Sequence, residues 1–240
     1  MRALIIAGGM GLRMTPLTKR IPKSLLEVNR EPILKRIIDA LEENNVHDLV
    51  IITGHLEDQI KKFMEYNYPR ITPKFLFSPF YKNPKIRYIY PMWLARNILK
   101  DEDIIYIHGD VVFDPILAKK IINFPYSGAL LKKDFVPQKD FKAKIEKGLI
   151  KKIGVDVFDQ GASFCLPFCK ILRKDFALWM KKIDDFVKVK NLDCYAEDAL
   201  NEVLDKIRFY PVYYHQELGM EIDDFGDLKK AEEYYGKGGK

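Results

Sequence analysis

The chain has 240 residues, enough for one α/β domain with a full hydrophobic core. Hydrophobic residues at 48% and charged residues at 31% exclude a disordered chain, and no apolar run is long enough for a membrane span or a signal peptide. The net charge is +6, but its 40 Lys and Arg are scattered among acidic residues, so they describe a lysine-dotted surface and argue against a nucleic-acid partner.

An apolar run, Leu4 to Ala7, leads into Gly8-Gly9-Met10-Gly11-Leu12-Arg13, then Thr15-Pro16-Leu17-Thr18 and Pro22-Lys23-Ser24-Leu25. This order predicts a buried strand over 3–7 that opens into a glycine-rich turn, with one cation closing the turn and a second further on. Glycines let main-chain N–H groups approach an anion closely because no Cβ intervenes, and Arg13 and Lys23 add full charges. The layout therefore handles phosphate. A dinucleotide-binding turn would need a third glycine where Met14 stands, and an acidic end to the next strand, which instead runs from Leu49 to Thr53 into Gly54-His55. A P-loop is excluded because Lys23 lies too far from the glycines and follows a proline.

Helices are predicted at Pro32 to Asn44 and Glu57 to Tyr66, and a third core strand at Ile104 to His108. Strands alternating with helices indicate an α/β fold with a doubly wound, mostly parallel sheet. Ligands of such sheets gather beyond the carboxyl ends of the strands, which sends Gly8 to Arg13, Gly54-His55 and Gly109-Asp110 to one crevice. The second half reads as a meander, with strands at Ser127 to Lys132, Ala143 to Ile145 and Ile150 to Ile153 and a turn at Lys147-Gly148. A strand over Gly161 to Leu166 re-enters the core. Helices at Asp175 to Asp185 and Tyr195 to Leu204, a strand at Phe209 to Tyr214 and a helix at Asp227 to Tyr235 follow. No repeat or linker divides residues 1–235, and the glycine-lysine tail 236–240 is expected to be disordered. Cys165, Cys169 and Cys194 lack metal-ligand spacing. The proline-broken Leu166-Pro167-Phe168 between the first two suits buried, reduced thiols of a cytoplasmic protein.

The segment Ile6 to Thr18, with Pro22-Lys23-Ser24-Leu25 behind it, resembles the signature of the nucleotidyltransferases that activate sugar phosphates and alcohol phosphates. The resemblance implies a single-domain Rossmann-like mixed sheet with a small β-meander and helical acceptor-binding insertion. It implies nucleotide binding by Ala7, Gly8, Gly9, Gly11 and Gly54, Arg13 on the β and γ phosphates and Lys23 on the α-phosphate. It also makes Asp110, after the strand 104–108, a ligand of catalytic Mg²⁺. The segment Met220 to Leu228 resembles the family's late acidic segment and makes Asp223 the second ligand; two carboxylates plus phosphate oxygens and water suit Mg²⁺. Glu221 and Asp224 read as solvated turn residues, and Asp227 as the cap of the last helix.

The implied reaction is in-line attack by a phosphate or phosphonate oxygen on the α-phosphorus of a nucleoside triphosphate, with pyrophosphate leaving. The nucleophile already carries charge near neutral pH, so no general base is needed, and His47, His55, His108 and His215 read as structural. The short chain, the Tyr195 to Leu200 segment and the acidic ending look most like the cytidylyltransferases, which use CTP and activate phosphocholine, aminoalkylphosphonates or inositol phosphate. The run Arg87 to Ala95 departs from the phosphocholine-type pattern, with Pro91 where a serine is usual. By the resemblance, Glu197 and Asp198 face the acceptor, where they would suit an ammonium group, with Tyr81, Tyr88, Tyr90 or Trp93 as a cation–π wall; both carboxylates would equally suit a helix N-terminus. A sugar-1-phosphate uridylyl-, thymidylyl- or guanylyltransferase and a catalytically silent nucleotide-binding subunit are the competing readings.

Overall fold

The computed structural model describes residues 1–133, 135–236 and 238. In chain order it contains β1 (Arg2–Ile6), β2 (Glu27–Val28), β3 (Glu31–Pro32), α1 (Ile33–Glu43), β4 (Asp48–Thr53), α2 (Glu57–Asn67), β5 (Lys74–Phe77), α3 (Ile89–Leu94) and α4 (Arg96–Leu99). There follow β6 (Ile104–His108), β7 (Val111–Phe113), α5 (Pro115–Ile122), β8 (Gly128–Lys132), β9 (Lys142–Glu146), β10 (Leu149–Gly154) and β11 (Ser163–Ile171). The chain ends with α6 (Arg173–Lys188), α7 (Ala196–Asn201), β12 (Tyr210–Tyr214), β13 (Gly219–Glu221) and α8 (Phe225–Gly236). Of the predicted tail 236–240, Gly236 closes α8, and residues 237, 239 and 240 lie outside the described residues.

A mixed nine-stranded sheet runs β10-β9-β11-β6-β1-β4-β5, with β8 joined to β11 and β12. Its centre is parallel: Ile5 of β1 faces Ile51 of β4 and Ile107 of β6. Because successive strand residues point to opposite faces, Ala3 and Ile5 join the core under α1 and α5, while Leu4 joins the core under α3, α6 and α7. Both faces are covered by helices, which explains why β1, β4 and β6 are apolar without alternation. Each fully buried Leu or Ile contributes roughly 1.5–3 kcal/mol by this burial.

The predicted core elements are present, and the differences lie where tertiary packing overrides local signals. The strand predicted at 161–166 runs from Ser163 to Ile171, straight through Pro167. Its pairing with β8 shifts register between Cys165 and Cys169, so the bulge takes up the residue that has no N–H to donate. Cys165 and Cys169 are buried free thiols. Asp114 precedes α5 with Pro115 in the first turn, where its missing N–H is harmless. Strands β2, β3, β5, β7 and β13 and helices α3 and α4 are not among the predicted elements; β7 and β13 have three residues each and, among the described residues, pair with one another as a separate two-stranded sheet. No helix among the described residues is long and apolar enough to cross a membrane.

Candidate active site

The glycine-rich turn begins where β1 ends. Gly8 and Gly54 hold the ends of β1 and β4 together: a Cβ on Gly54 would lie 2.5 Å from the Gly8 carbonyl oxygen and 2.8 Å from Tyr81 Cβ. Only glycine permits that approach. Gly11 has φ +61°, and a Cβ there would meet Thr18 Cγ2 at 2.9 Å. The turn then folds back on itself, with Thr18 Oγ1 donating to the Gly11 carbonyl at 2.9 Å and Met14 fully buried beneath it. His55 Nε2 lies 2.6 Å from the Thr18 carbonyl, a structural tie. This folding swings Arg13 and Lys23 to one place.

That place is the mouth of a crevice of about 370 Å³ beyond the carboxyl ends of β1, β4 and β6. Gly8, Gly9, Arg13, Lys23, Asp110 and Asp223 line it, while Ala7, Gly11 and Gly54 are not among its lining residues. Lys23 Nζ lies 2.6 Å from Asp110 Oδ2 and 2.7 Å from Asp223 Oδ1, and Arg13 reaches the other Asp223 oxygen at 2.9 Å. Burial works against the Lys23 ammonium, but the two flanking carboxylates outweigh it and hold the amine charged, above its ordinary range. Burial likewise opposes ionisation of Asp110, yet Lys23 and then His108 bring its carboxyl below the usual range.

The two carboxylates already converge on one cation, and Asp110 Oδ1 is buried without a hydrogen-bond partner. His108, Asp110 and Glu221 also each bring a ligand atom within 4.8 Å of the others. The carboxylate oxygens of Asp110, Asp223 and Glu221 are hard donors of the kind that a divalent cation such as Mg²⁺ accepts, with His108 contributing a nitrogen beside them.

Three acidic expectations are corrected. Glu221 is no solvated turn residue: β13 carries it under the crevice, its side chain 11% exposed and 3.4 Å from His108 Nδ1. Burial pushes its carboxyl up to about 7, and the same pairing raises the His108 imidazole against the effect of burial. Asp224, not Asp227, caps α8, accepting the Gly226 and Asp227 N–H groups at 2.9 and 3.1 Å. Asp227 returns the contact by accepting from the Asp223 and Asp224 N–H groups at 3.1 and 3.3 Å. This reciprocal cap leaves Asp223 as the residue of the segment that faces Lys23.

The acceptor-facing role expected for Glu197 and Asp198 also meets a different geometry. Asp198 accepts the Tyr195 N–H at 2.7 Å and so serves the first turn of α7. Glu197 is buried behind the wall and accepts the Tyr88 hydroxyl, and burial raises its carboxyl above the ordinary range. Of the predicted aromatic wall, Tyr81 and Tyr88 line the crevice. Tyr90 and Trp93 pack on each other, and Trp93 Nε1 donates to Asp184 of α6 at 3.0 Å. Sequence reasoning missed Arg87, Lys139, Asp140, Phe141 and Tyr195 as wall residues. It also missed the His108–Glu221 pair, whose one signal was a histidine at the end of an otherwise apolar strand.

A phosphate-handling turn joined to a carboxylate pair at the carboxyl edge of an α/β sheet defines a nucleotide-processing enzyme. Residues 2–143 match the Nucleotidyl transferase family, over half of the chain, and the protein belongs to it. Choline-phosphate cytidylyltransferase of Streptococcus pneumoniae is 32% identical over 103 residues, 43% of this chain but only 44% of that protein. The choline-phosphate cytidylyltransferase of Haemophilus influenzae is 24% identical over 236 residues, 95% of this chain and 94% of that protein. The solved structure of CTP:phosphocholine cytidylyltransferase from Streptococcus pneumoniae superimposes with a TM-score of 0.83 at 21% identity, covering 98% of each chain. At that identity the likeness establishes the fold.

Proposed function

We propose that the protein transfers a cytidylyl group from CTP to a phosphorylated small alcohol or a phosphonate, releasing pyrophosphate, with residues 1–235 acting as one cytoplasmic nucleotidyltransferase domain. The observation that carries the reading is the convergence of Arg13, Lys23, Asp110 and Asp223 at the crevice mouth. The names of the similar proteins support cytidine and a phosphocholine-like acceptor.

In this reading an acceptor oxygen forms a bond to the α-phosphorus while the bond to the bridging oxygen of the β-phosphate breaks, its electrons leaving with pyrophosphate. Asp110 and Asp223 would hold Mg²⁺, which supplies charge neutralisation and orientation of the phosphates when bound. Lys23 turns its ammonium to the α-phosphate, and Arg13, whose side chain is 62% exposed, reaches the outer phosphates. The N–H groups around Gly8 and Gly9 add partial positive charge. No side chain needs to take a proton from an acceptor that is already anionic.

The test is pyrophosphate release with CTP, UTP, dTTP and GTP, each paired with phosphocholine, aminoalkylphosphonate, inositol phosphate and hexose-1-phosphate acceptors. CTP with an alcohol phosphate or phosphonate should turn over fastest. Preference for UTP, dTTP or GTP with a hexose-1-phosphate would replace this reading with the sugar-nucleotide one.

A further inference from the structure

Lys142, the first residue of β9, is fully buried, yet its ammonium has no carboxylate within ion-pairing distance among the described residues. Its Nζ donates instead to three main-chain carbonyls, Pro137 at 3.1 Å, Gln138 at 3.4 Å and Asp140 at 3.0 Å, and lies 4.1 Å from the centre of the Phe158 ring. A buried ammonium is costly unless all its protons are satisfied, and three carbonyls from one loop match its three donors. The cation therefore closes residues 137–140 into a ring around itself.

The ring has a working side. Lys139 and Asp140 line the crevice, followed by Phe141. Lys139 Nζ also joins Asp224 at 2.7 Å and Asp227 at 2.5 Å, the reciprocal cap directly behind Asp223. The loop is tied at both ends to β11, where Phe164 N–H donates to Phe135 at 2.7 Å and Cys165 N–H to Phe141 at 2.9 Å. Building on the proposed transfer reaction, we infer that Lys142 is a positioning residue: its buried ammonium holds residues 135–141 as a strap that sets the Lys139-Asp140-Phe141 wall of the crevice against the Asp223 turn, and that wall positions the acceptor.

The experiment compares the full-length protein with its Lys142→Met variant, which keeps length and burial but removes the donors. CTP and phosphocholine are the probes, and hydrogen exchange is followed over residues 135–142. The strap predicts faster exchange in that segment and a loss of about 10²-fold in kcat/KM for the acceptor, as misplacement of a positioning wall produces, with KM for CTP within about twofold. Equal losses toward CTP and acceptor would reduce Lys142 to a core residue and overturn the inference, as would unchanged exchange. If Lys142→Met does not fold, Lys139→Gln tests the strap from its surface tie, and unchanged acceptor KM there overturns it. A wild-type protein inactive with every nucleotide and acceptor pair would overturn the transfer reading itself, and the exchange comparison would still decide whether Lys142 holds the loop.

Discussion

Lys23 and Asp110 stand 87 positions apart in the chain and 2.6 Å apart in space. Asp223, a further 113 positions beyond Asp110, closes on the same ammonium at 2.7 Å. One lysine thus collects the ends of three distant segments, and the electrostatics of the crevice mouth follow from that gathering.

Removing either cation should lower turnover. Lys23→Ala and Arg13→Ala are each expected to cost ~2.7–4 kcal/mol in the barrier, or about 10²–10³ in kcat, through loss of a donor aimed at phosphate charge. The two variants should differ in stability. Arg13 is mostly exposed, so its loss leaves the melting temperature unchanged, whereas loss of Lys23 leaves two carboxylates facing each other and lowers it. Steady-state rates with a thermal melt check both; near-normal rates in both variants would remove the turn from the mechanism.

Activity should require a divalent ion, and Asp110→Asn or Asp223→Asn should abolish it by withdrawing charge from the ligand pair. Asp224→Asn should keep metal-dependent activity, because that carboxylate is engaged with Lys139 and the α8 cap. Titration of Mg²⁺ against rate in the three variants separates them, and full activity in excess chelator would dismiss a metal role.

Asp198 and Asp224 should behave as helix caps. Replacement by Ala should cost about 1 kcal/mol each, lowering the melting temperature by about 2–4 °C in a chain of this size. Asp198→Ala should shift KM for phosphocholine and for an acceptor without an ammonium group, such as inositol phosphate, equally. A selective loss on the ammonium-bearing acceptor would return Asp198 to the ligand.

The thiols should be slow to alkylate. Burial pushes the Cys194 thiol up to about 11, and the fully buried Cys165 and Cys169 well above the ordinary thiol range. A rise from 9.0 to about 11 cuts the thiolate fraction near neutrality about 100-fold. The Cys194 rate should therefore climb as pH rises toward 11, with Cys165 and Cys169 protected until unfolding. Mass spectrometry of iodoacetamide-treated protein across pH 7–10 checks the order; rapid labelling of Cys194 at pH 7 would contradict it.

The core strands and the phosphate turn were readable locally because their causes are local. Leu4 to Ala7 is an apolar run too short for a helix, and Gly8, Gly11 and Gly54 sit where close approach or a positive φ excludes any other residue. The three-residue strands β7 and β13 were not readable, since each exists only through pairing with the other. The strand predicted over 161–166 falls short of β11 because the bulge that tolerates Pro167 belongs to the partner strand as much as to β11.

The sequence alone indicated the doubly wound class and the glycine-rich turn with its two cations, because strand alternation and glycine placement are properties of neighbouring residues; Asp110 and Asp223 were marked out by family resemblance, and the fold brings both onto Lys23. Tertiary structure decided which carboxylates do what. Asp224 and Asp198 went to helix ends, Glu197 went behind Tyr88, and Glu221 went under the crevice to face His108. An acidic side chain in isolation is equally suited to a cap, a ligand or a buried pair. Which it becomes depends on the N–H groups, cations and apolar walls that distant parts of the chain bring within about 3 Å of it.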